Sequence, residues 1–331
     1  TDARKIANDT SGTVTATIAS SRVSDLTALR NPGGGNEENA WTITVNSDDA
    51  ENQVTAAELN TLNAATSVAV NVNAITELKA SDLTDLTTFH TNRAGFSNAG
   101  NIATINLTDN GASGAGTAVD YTTLETIVDN FRAAGADGIN ENAVFKFASG
   151  DDIAIDNDAP ELSAYVADIT SGALALTNQT VTINSALEVG VTDARKIAND
   201  TSGTVTATIT AGTHVSVLTT LYNPGGGNET NAWAITLHSD DATRATAAEL
   251  NTINSATSAQ VNAAAITGIA ASSMSDVGTL LTSAVATDPR EFTTGSFDNL
   301  TAVNINSATI DVTDLNTAIT NASSAVTAPT V

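Results

Sequence analysis

Short stretches of the chain alternate apolar and small polar residues with a period of two, the pattern of a β-strand with one buried face. The stretches that share this pattern are TVTATI, WTITVNS, VAVNVNAIT, IATINLT, TVTINSA and TAVNINSATI. Between them lie short stretches with leucines at helical spacing, such as Leu59 and Leu62 or Leu83 and Leu86. The pattern predicts strand, turn, short helix and strand in succession, with a unit of roughly 25–35 residues that lies within the range of solenoid repeats.

Two of the predicted helices begin with the S/T-x-x-E signature of a capping box, Thr55 to Glu58 and Thr246 to Glu249. Connections that run through a helix favour parallel strands. One coil of this kind cannot bury its own apolar stripe, so successive coils must stack. We therefore expect an elongated, right-handed α/β solenoid, with a parallel β-sheet on one face and short helices on another.

The chain contains a long internal duplication. Residues 1–18, TDARKIANDTSGTVTATI, recur unchanged as residues 192–209, an offset of 192 − 1 = 191 residues. The two copies diverge after about Leu86 and Val277. Because the chain begins at the residue that opens the second copy, we expect it to be a segment of a longer array or a processed protomer. Two further motifs recur at nearly the same offset: NPGGGNE at Asn31 and Asn223, and TAAELNT at Thr55 and Thr246.

The duplication divides the chain into four predicted segments. One segment differs from the rest because it holds the glycine-rich turn DNGASGAG and the longest predicted helix, around Val119–Ala134. We predict that this segment is an insertion or a decoration on the solenoid. The four segments are solenoid coils over 1–108, the divergent insertion over 109–160, further coils over 161–191, and the incomplete second long repeat over 192–331.

Composition narrows the function classes. Aromatic residues make up 4% of the chain and Met occurs once, so we expect a thin core of small aliphatic side chains between stacked layers. The net charge of −25 argues against nucleic acid and anionic lipid as partners, and favours attraction of cations. With no Cys there is no disulfide framework or thiolate site. No apolar stretch approaches about 18 residues, and no signal-peptide pattern is present, so export would need a removed segment or another route.

Asparagine inside the predicted strands is unusual, because Asn disfavours ordinary strands. The residues concerned are Asn71, Asn73, Asn304 and Asn306. Stacked coils could align their side chains as amide ladders. The alternative is that these side chains face water, and the sequence leaves both interpretations open.

The stretches ELNTLNAATS, VNVNAITEL and ASDLTDL resemble Asn/Thr/Ala-rich tandem-repeat surface or appendage proteins of marine cyanobacteria and their phages. The resemblance covers most of the chain apart from residues 109–160. It implies an extracellular structural role, at the cell surface or on a virion appendage. It supplies no catalytic residues to transfer to this chain.

Acidic clusters are the best candidates for a binding site, because Ca²⁺ takes six to eight oxygen ligands from such loops. We interpret these clusters as candidate calcium ligands, the alternative being carboxylates that only initiate turns and cap helices. The loop patterns of an EF-hand and of a calcium β-roll are both absent. The candidate ligands are Asp48, Asp49, Glu51, Asp151, Asp152, Asp156, Asp158, Asp240 and Asp241.

Catalytic motifs are missing from the sequence. The NPGGGN loops lack the G-K-[ST] ending of a phosphate-binding loop, and no G-x-S-x-G motif occurs. His90, His214 and His238 are predicted to be ordinary surface histidines, since a catalytic or metal cluster is not expected in one copy only. We therefore expect no enzyme and no firm cofactor.

The expected function is a structural component of an extracellular filament, sheath or surface layer. Solenoid ends that lack polar caps can associate head to tail, and contacts of that kind that do not close into a ring give filaments. Self-association is thus the expected interaction. The alternative is an adhesin or phage-fibre type of binding module, which would recognise a glycan or a cell surface through residues 109–160.

Overall fold

The protein belongs to the α/β class, as a computed structural model shows, with parallel sheets and short helices. The strand pairs of defined register are all parallel, which confirms that part of the predicted fold. The structure describes residues 2–10, 12–19, 21–29, 39–46, 54–108, 119–133, 140–147, 152–155, 158–221, 231–285, 292–293 and 296–306.

The first of two compact units comprises Thr1–Ala154 and Pro160–Gln179. Its described strands pair in the orders β1-β2, β3-β5, β4-β6-β8-β10 and β7-β9. The strands are β1 (Thr15–Thr17), β2 (Ala40–Thr42), β3 (Val70–Asn71), β4 (Glu77–Ser81), β5 (Phe96–Ser97), β6 (Thr104–Leu107), β7 (Val119–Asp120), β8 (Val144–Phe147), β9 (Asp152–Ile155) and β10 (Leu174–Ala175). The helices are α1 (Asp2–Asn8), α2 (Val23–Leu26), α3 (Ala56–Asn63), α4 (Leu83–Thr91), α5 (Tyr121–Arg132) and α6 (Ala159–Ser171).

The second unit comprises Ile155–Ala159 and Thr180–Val331. Its main sheet has the order β11-β13-β14-β15, with β12 also on β13, and β16 pairs with β17. The strands are β11 (Thr180–Ile183), β12 (Glu188–Val189), β13 (Val205–Ile209), β14 (Ala232–Thr236), β15 (Val261–Asn262), β16 (Gly268–Ser272) and β17 (Ala302–Ile305). The helices are α7 (Val191–Asp200), α8 (Val215–Leu218), α9 (Ala247–Ser255) and α10 (Met274–Val285).

Several strand pairs in both units are 24–27 residues apart in the sequence, whereas β6 and β8 are 144 − 104 = 40 residues apart. Thr15 pairs with Ala40 and Val70 with Phe96 in the first unit. Side-chain hydrogen bonds between neighbouring strands and helices span the same distance, for example 25 residues between Asn60 and Asp85. Parallel strands need a crossover connection, and here a short helix or 3₁₀ turn provides it. Pairs within the second unit are Val181 with Val205, Thr206 with Ala232, and Ile235 with Val261.

Both predicted capping boxes are present. The Thr55 hydroxyl accepts a hydrogen bond from the Glu58 N–H at 3.2 Å, and the Glu58 carboxylate accepts one from the Thr55 N–H at 2.9 Å. Thr246 and Glu249 repeat both contacts at the same distances. Each box satisfies two of the backbone donors that a helix N-terminus otherwise leaves without partners. The boxes therefore fix where α3 and α9 begin.

A serine from the following strand satisfies a further donor at each of these helix starts. The hydroxyl of Ser81 in β4 accepts a 2.9 Å hydrogen bond from the N–H of Ala56, and Ser272 in β16 accepts one from Ala247 at the same distance. Both serines are buried. A buried hydroxyl needs a partner, so these bonds tie each helix start to one register of the next strand.

The core consists mainly of aliphatic residues on alternating strand positions, as expected from the composition. In β13 the buried positions are Val205, Ala207 and Ile209, and Trp41 and Trp233 are 1% and 2% exposed. The first unit also contains an aromatic cluster that the alternating pattern did not predict. In it, the ring centroids of Phe89 and Phe96 are 4.8 Å apart and those of Phe131 and Phe145 are 5.5 Å apart.

Strand asparagines form amide contacts between neighbouring segments of the chain. The Asn98 amide donates to the side-chain oxygen of Asn71 at 3.1 Å, and the Asn101 amide donates to that of Asn73 at 3.0 Å. These contacts are exposed to solvent. The side chains of Asn71 and Asn73 therefore both face water and form amide contacts, so the two interpretations of the sequence are compatible at these positions. Asn304 instead donates to the backbone oxygen of Ile269 at 3.1 Å.

Thr246→Ala is expected to lower the free energy of unfolding by about 1 kcal/mol, because it removes the hydroxyl that caps α9. The measurement is urea denaturation of the full chain followed by circular dichroism. Thr252→Ala is the matched control, since Thr252 lies inside α9 and bonds only the Ala248 carbonyl of its own helix. Equal losses for the two variants would contradict the assigned role of the capping box.

Candidate functional site

The nine predicted calcium ligands have different outcomes. Asp152 lies in β9 and is partly exposed, whereas Asp158 is exposed just before α6. Neither joins a group of three or more potential metal ligands among the residues that the structure describes. Asp240 and Asp241 lie in a 3₁₀ turn after β14. The candidates outside the described residues are Asp48, Asp49, Glu51, Asp151 and Asp156.

Asp241 is a buried carboxylate with two partners. Its side chain is 12% exposed and accepts a hydrogen bond from the N–H of Val215 at 2.9 Å. Both of its oxygens also lie 3.3 Å from Nδ1 of His214. A carboxylate can only accept hydrogen bonds, so this contact favours the His214 tautomer that carries its proton on Nδ1. The lone pair of His214 is then on Nε2.

His238 lies beside His214 and Asp240. The two imidazole rings meet edge to face, with centroids 5.2 Å apart. Nδ1 of His238 accepts a 3.2 Å hydrogen bond from the Asp240 N–H and lies 3.7 Å from Oδ2 of the same residue. One potential ligand atom each from His214, His238 and Asp240 lie within 4.8 Å of one another. We call these three residues the His–His–Asp cluster.

The cluster differs from the surface role predicted for the histidines. His214 precedes α8 and His238 follows β14, and they meet because the intervening chain returns to the neighbouring strand position. His214 and His238 are 24 residues apart, a separation that matches several of the paired strands. This spacing is the sequence signal that would predict their proximity. His90 lies elsewhere, in α4, with its ring centroid 5.4 Å from that of Phe131.

The first copy carries different residues at the corresponding positions. Asn46 aligns with His238, and Arg22 aligns with His214 across the one-residue insertion. The backbone is nevertheless the same at this helix start, with φ −63° and ψ 148° at Arg22 and φ −67° and ψ 148° at His214. The two imidazoles are therefore a property of the second copy that the fold does not require.

The second notable polar group is a pair in the first unit that joins the buried Tyr121 to the partly buried Asp168. The Tyr121 hydroxyl donates a hydrogen bond to the Asp168 carboxylate. Burial, and then this bond and the charge of Asp168, raise the pKa of the Tyr121 phenol far above its ordinary value of 10.0. Burial also raises the pKa of Asp168, although the Tyr121 bond and the charge of Arg132 oppose that increase. The pair connects α5 to α6 and supplies no second reactive group, so it is a structural contact.

Tyr121→Phe is expected to reduce the alkaline sensitivity of the fold. The folded phenol has the higher pKa, so the unfolded chain loses its proton first, from about pH 10 upwards. The stability that the phenol contributes is therefore fully present below pH 10 and is lost as the pH rises, by about 1.4 kcal/mol per pH unit. Urea denaturation between pH 8 and about pH 11 measures this slope.

In the same titration, the free energy of unfolding of the variant should fall less steeply with pH above about pH 10. At neutral pH the variant should be less stable than the wild-type chain by an amount that does not change with pH, because the hydrogen bond to Asp168 is missing. Identical slopes for the variant and the wild-type chain would show that the phenol is not held in its protonated form.

Comparisons with known proteins leave the function to be argued from the geometry alone. The chain matches no known protein family, no curated protein and no solved structure. Among the residues that the structure describes, every helix is too short or too polar to cross a lipid bilayer.

Proposed function

We propose that this chain is a non-catalytic structural component of an extracellular filament, sheath or surface layer, and that copies associate head to tail through solenoid ends. One observation carries the proposal: residues 1–18 recur unchanged as residues 192–209, and among the described positions most apolar side chains that are buried in the second copy are exposed or only partly buried in the first. Because the two sequences are identical, the difference arises from what covers them.

In the second copy, neighbouring strands cover this sequence. β11 and β12 pair with β13, placing Val181 opposite Val205 and Val189 opposite Ile209. Ile197 in α7 is 0% exposed. Residues 192–209 therefore form a packed layer with strand partners on both sides of β13.

In the first copy the corresponding positions are less buried within the described residues. Ile6, which matches Ile197, is 58% exposed. Thr15 and Thr17 are exposed and Ala16 is only partly buried. Within the described residues β1 has a single strand partner, β2. Such an edge presents backbone donors and acceptors to an incoming strand.

Strand β17 has the chemistry of the strand that covers this sequence in the second copy. Its residues AVNI resemble the TVTI of β11, with Val303 and Ile305 in place of Val181 and Ile183. Val181 and Ile183 are buried, whereas Val303 and Ile305 are only partly buried. We infer that β17 of one copy pairs in parallel with β1 of the next, with Val303 opposite Val14 as Val181 lies opposite Val205.

The strand spacing supports the solenoid part of the proposal, since several strands pair in parallel with one that follows 24–27 residues later. Covering an isoleucine side chain fully is worth about 1.5–3 kcal/mol, and association costs several kcal/mol of lost motion. Assembly is therefore expected to depend on concentration.

The extracellular location follows from the resemblance to surface and appendage repeat proteins. Recognition of a glycan or cell surface through residues 109–160 stays the alternative prediction.

Thr15→Pro is expected to prevent assembly while leaving the fold intact. The Val14 carbonyl and the Ile18 N–H bond β2, so alternation along the strand directs the Thr15 N–H to the open edge. Proline removes that donor, and its ring obstructs an incoming strand. Sedimentation velocity and negative-stain microscopy at rising concentration should show threads for the wild-type chain and monomers for the variant.

Thr206→Pro is the matched control, because Thr206 occupies the same position in β13 and pairs with Thr182 in β11. It should lower the free energy of unfolding, which Thr15→Pro should not. A wild-type chain that stays monomeric at high concentration would contradict head-to-tail assembly. Threads formed equally well by Thr15→Pro would contradict the assigned contact and leave assembly itself standing.

A further inference from the structure

We propose that His214, His238 and Asp240 bind a transition-metal ion of the Zn²⁺ class, a site independent of the assembly described above. The His–His–Asp cluster offers two imidazole nitrogens and one carboxylate oxygen within 4.8 Å of one another. Imidazole suits zinc, copper and nickel, whereas Ca²⁺ takes oxygen ligands only. The donor set thus distinguishes this cluster from the acidic turns.

The contact of Asp241 with His214 has the arrangement found behind metal-binding histidines. Histidine ligands commonly donate their other ring N–H to a carboxylate, which fixes the tautomer and makes the ligating nitrogen more basic. Asp241 is held for this role by the buried N–H of Val215 at 2.9 Å. His214 then presents the Nε2 lone pair, and Asp241 acts as a positioning residue without touching the ion.

His238 lies beside Asp240, the third residue of the cluster. Its Nδ1 accepts a hydrogen bond from the Asp240 N–H, and the same lone pair would exchange this bond for the ion. This atom and Oδ2 of Asp240 are 3.7 Å apart. An ion with ligand distances of about 2.0–2.2 Å holds two tetrahedral ligands roughly 3.4 Å apart, so this pair needs to close by only a few tenths of an ångström.

The rest of the cluster closes by side-chain rotation. The Asp240 side chain is 66% exposed and can therefore change rotamer without disturbing the core or the contact between His214 and Asp241. Three protein ligands leave the fourth position of a tetrahedral ion to water. Because His214 precedes α8 and His238 follows β14, the ion would link two successive segments of the second unit.

The experiment is calorimetric titration of ZnCl₂ into the full chain after chelator treatment, with CaCl₂ titrated separately. We expect one Zn²⁺ per chain and a rise in the unfolding temperature with added Zn²⁺, because an ion that binds only the folded state stabilises it. His238→Asn and His214→Arg should each weaken Zn²⁺ binding at least about tenfold. Both variants insert the residue found at the aligned position of the first copy, so the fold should tolerate them.

Two controls separate this site from general attraction of cations to an acidic protein. His90→Asn removes the remaining histidine of the chain and should leave Zn²⁺ affinity unchanged. Asp241→Asn should weaken Zn²⁺ binding by about 10–100-fold, because the carboxylate that accepts the other ring N–H of His214 is lost, while ¹⁵N NMR of the bound form still shows both imidazoles ligated. Circular dichroism of each variant checks that it is folded.

The proposal is overturned if Zn²⁺ binds at several weak sites and the affinity is the same in His238→Asn and His214→Arg as in the wild-type chain. That result would identify carboxylates alone as the ligands. It is equally overturned if Ca²⁺ competes with Zn²⁺ at equal concentration. Failure of this experiment would not affect the assembly proposal, whose test depends on Thr15 at the edge of β1.

Discussion

Parallel pairing between strands that a helix or turn connects is the interaction on which the rest of the structure depends. Each strand contributes only two or three apolar side chains, and these are buried because the next strand presents a matching set in register. Val205, Ala207 and Ile209 show the packed state, with partners on both edges of β13. In β1, which has one described strand partner, Ala16 is only partly buried although it matches Ala207. Burial in this protein therefore depends on paired strands, and a single segment cannot achieve it alone.

Hydroxyl and amide side chains then fix the register that aliphatic contacts leave loose. Ser81 and Ser272 accept the first N–H of the preceding helix, and the Asn39 and Asn231 side chains accept the N–H of Val14 and Val205. A one-residue slip would leave each of these groups without its partner, at a cost of about 1–3 kcal/mol when buried. The abundance of Ser, Thr and Asn thus follows from the need to align layers that contain few large side chains.

The features that the sequence predicts well are local ones. The capping boxes at Thr55 and Thr246 depend on residues three positions apart, so the pattern alone places them. Alternating Val, Ile and Thr likewise predicts strands, and helical connections predict their parallel direction. The His–His–Asp cluster could not be found from such local patterns, because it requires two segments 24 residues apart to lie side by side. The acidic pattern also predicts the same role, calcium ligation, for Asp240 and Asp241. In the structure the Asp240 carboxylate is exposed, whereas the Asp241 carboxylate is buried and bonded to the N–H of Val215.

The pairing of two different strands, β17 and β1, has a consequence for the kinetics of the proposed thread. Because β17 of each copy would pair with β1 of the next, every subunit would have the same orientation and the two tips of a thread would expose different surfaces: the β1 edge with Ile6 at one tip, and β17 with Val303 and Ile305 at the other. Subunits would add to and leave these dissimilar tips at different rates, and a thread nucleated on a surface would grow outward with a fixed polarity. Pairing of one strand with the same strand of another copy, which a two-fold axis would relate, would impose no such direction of growth.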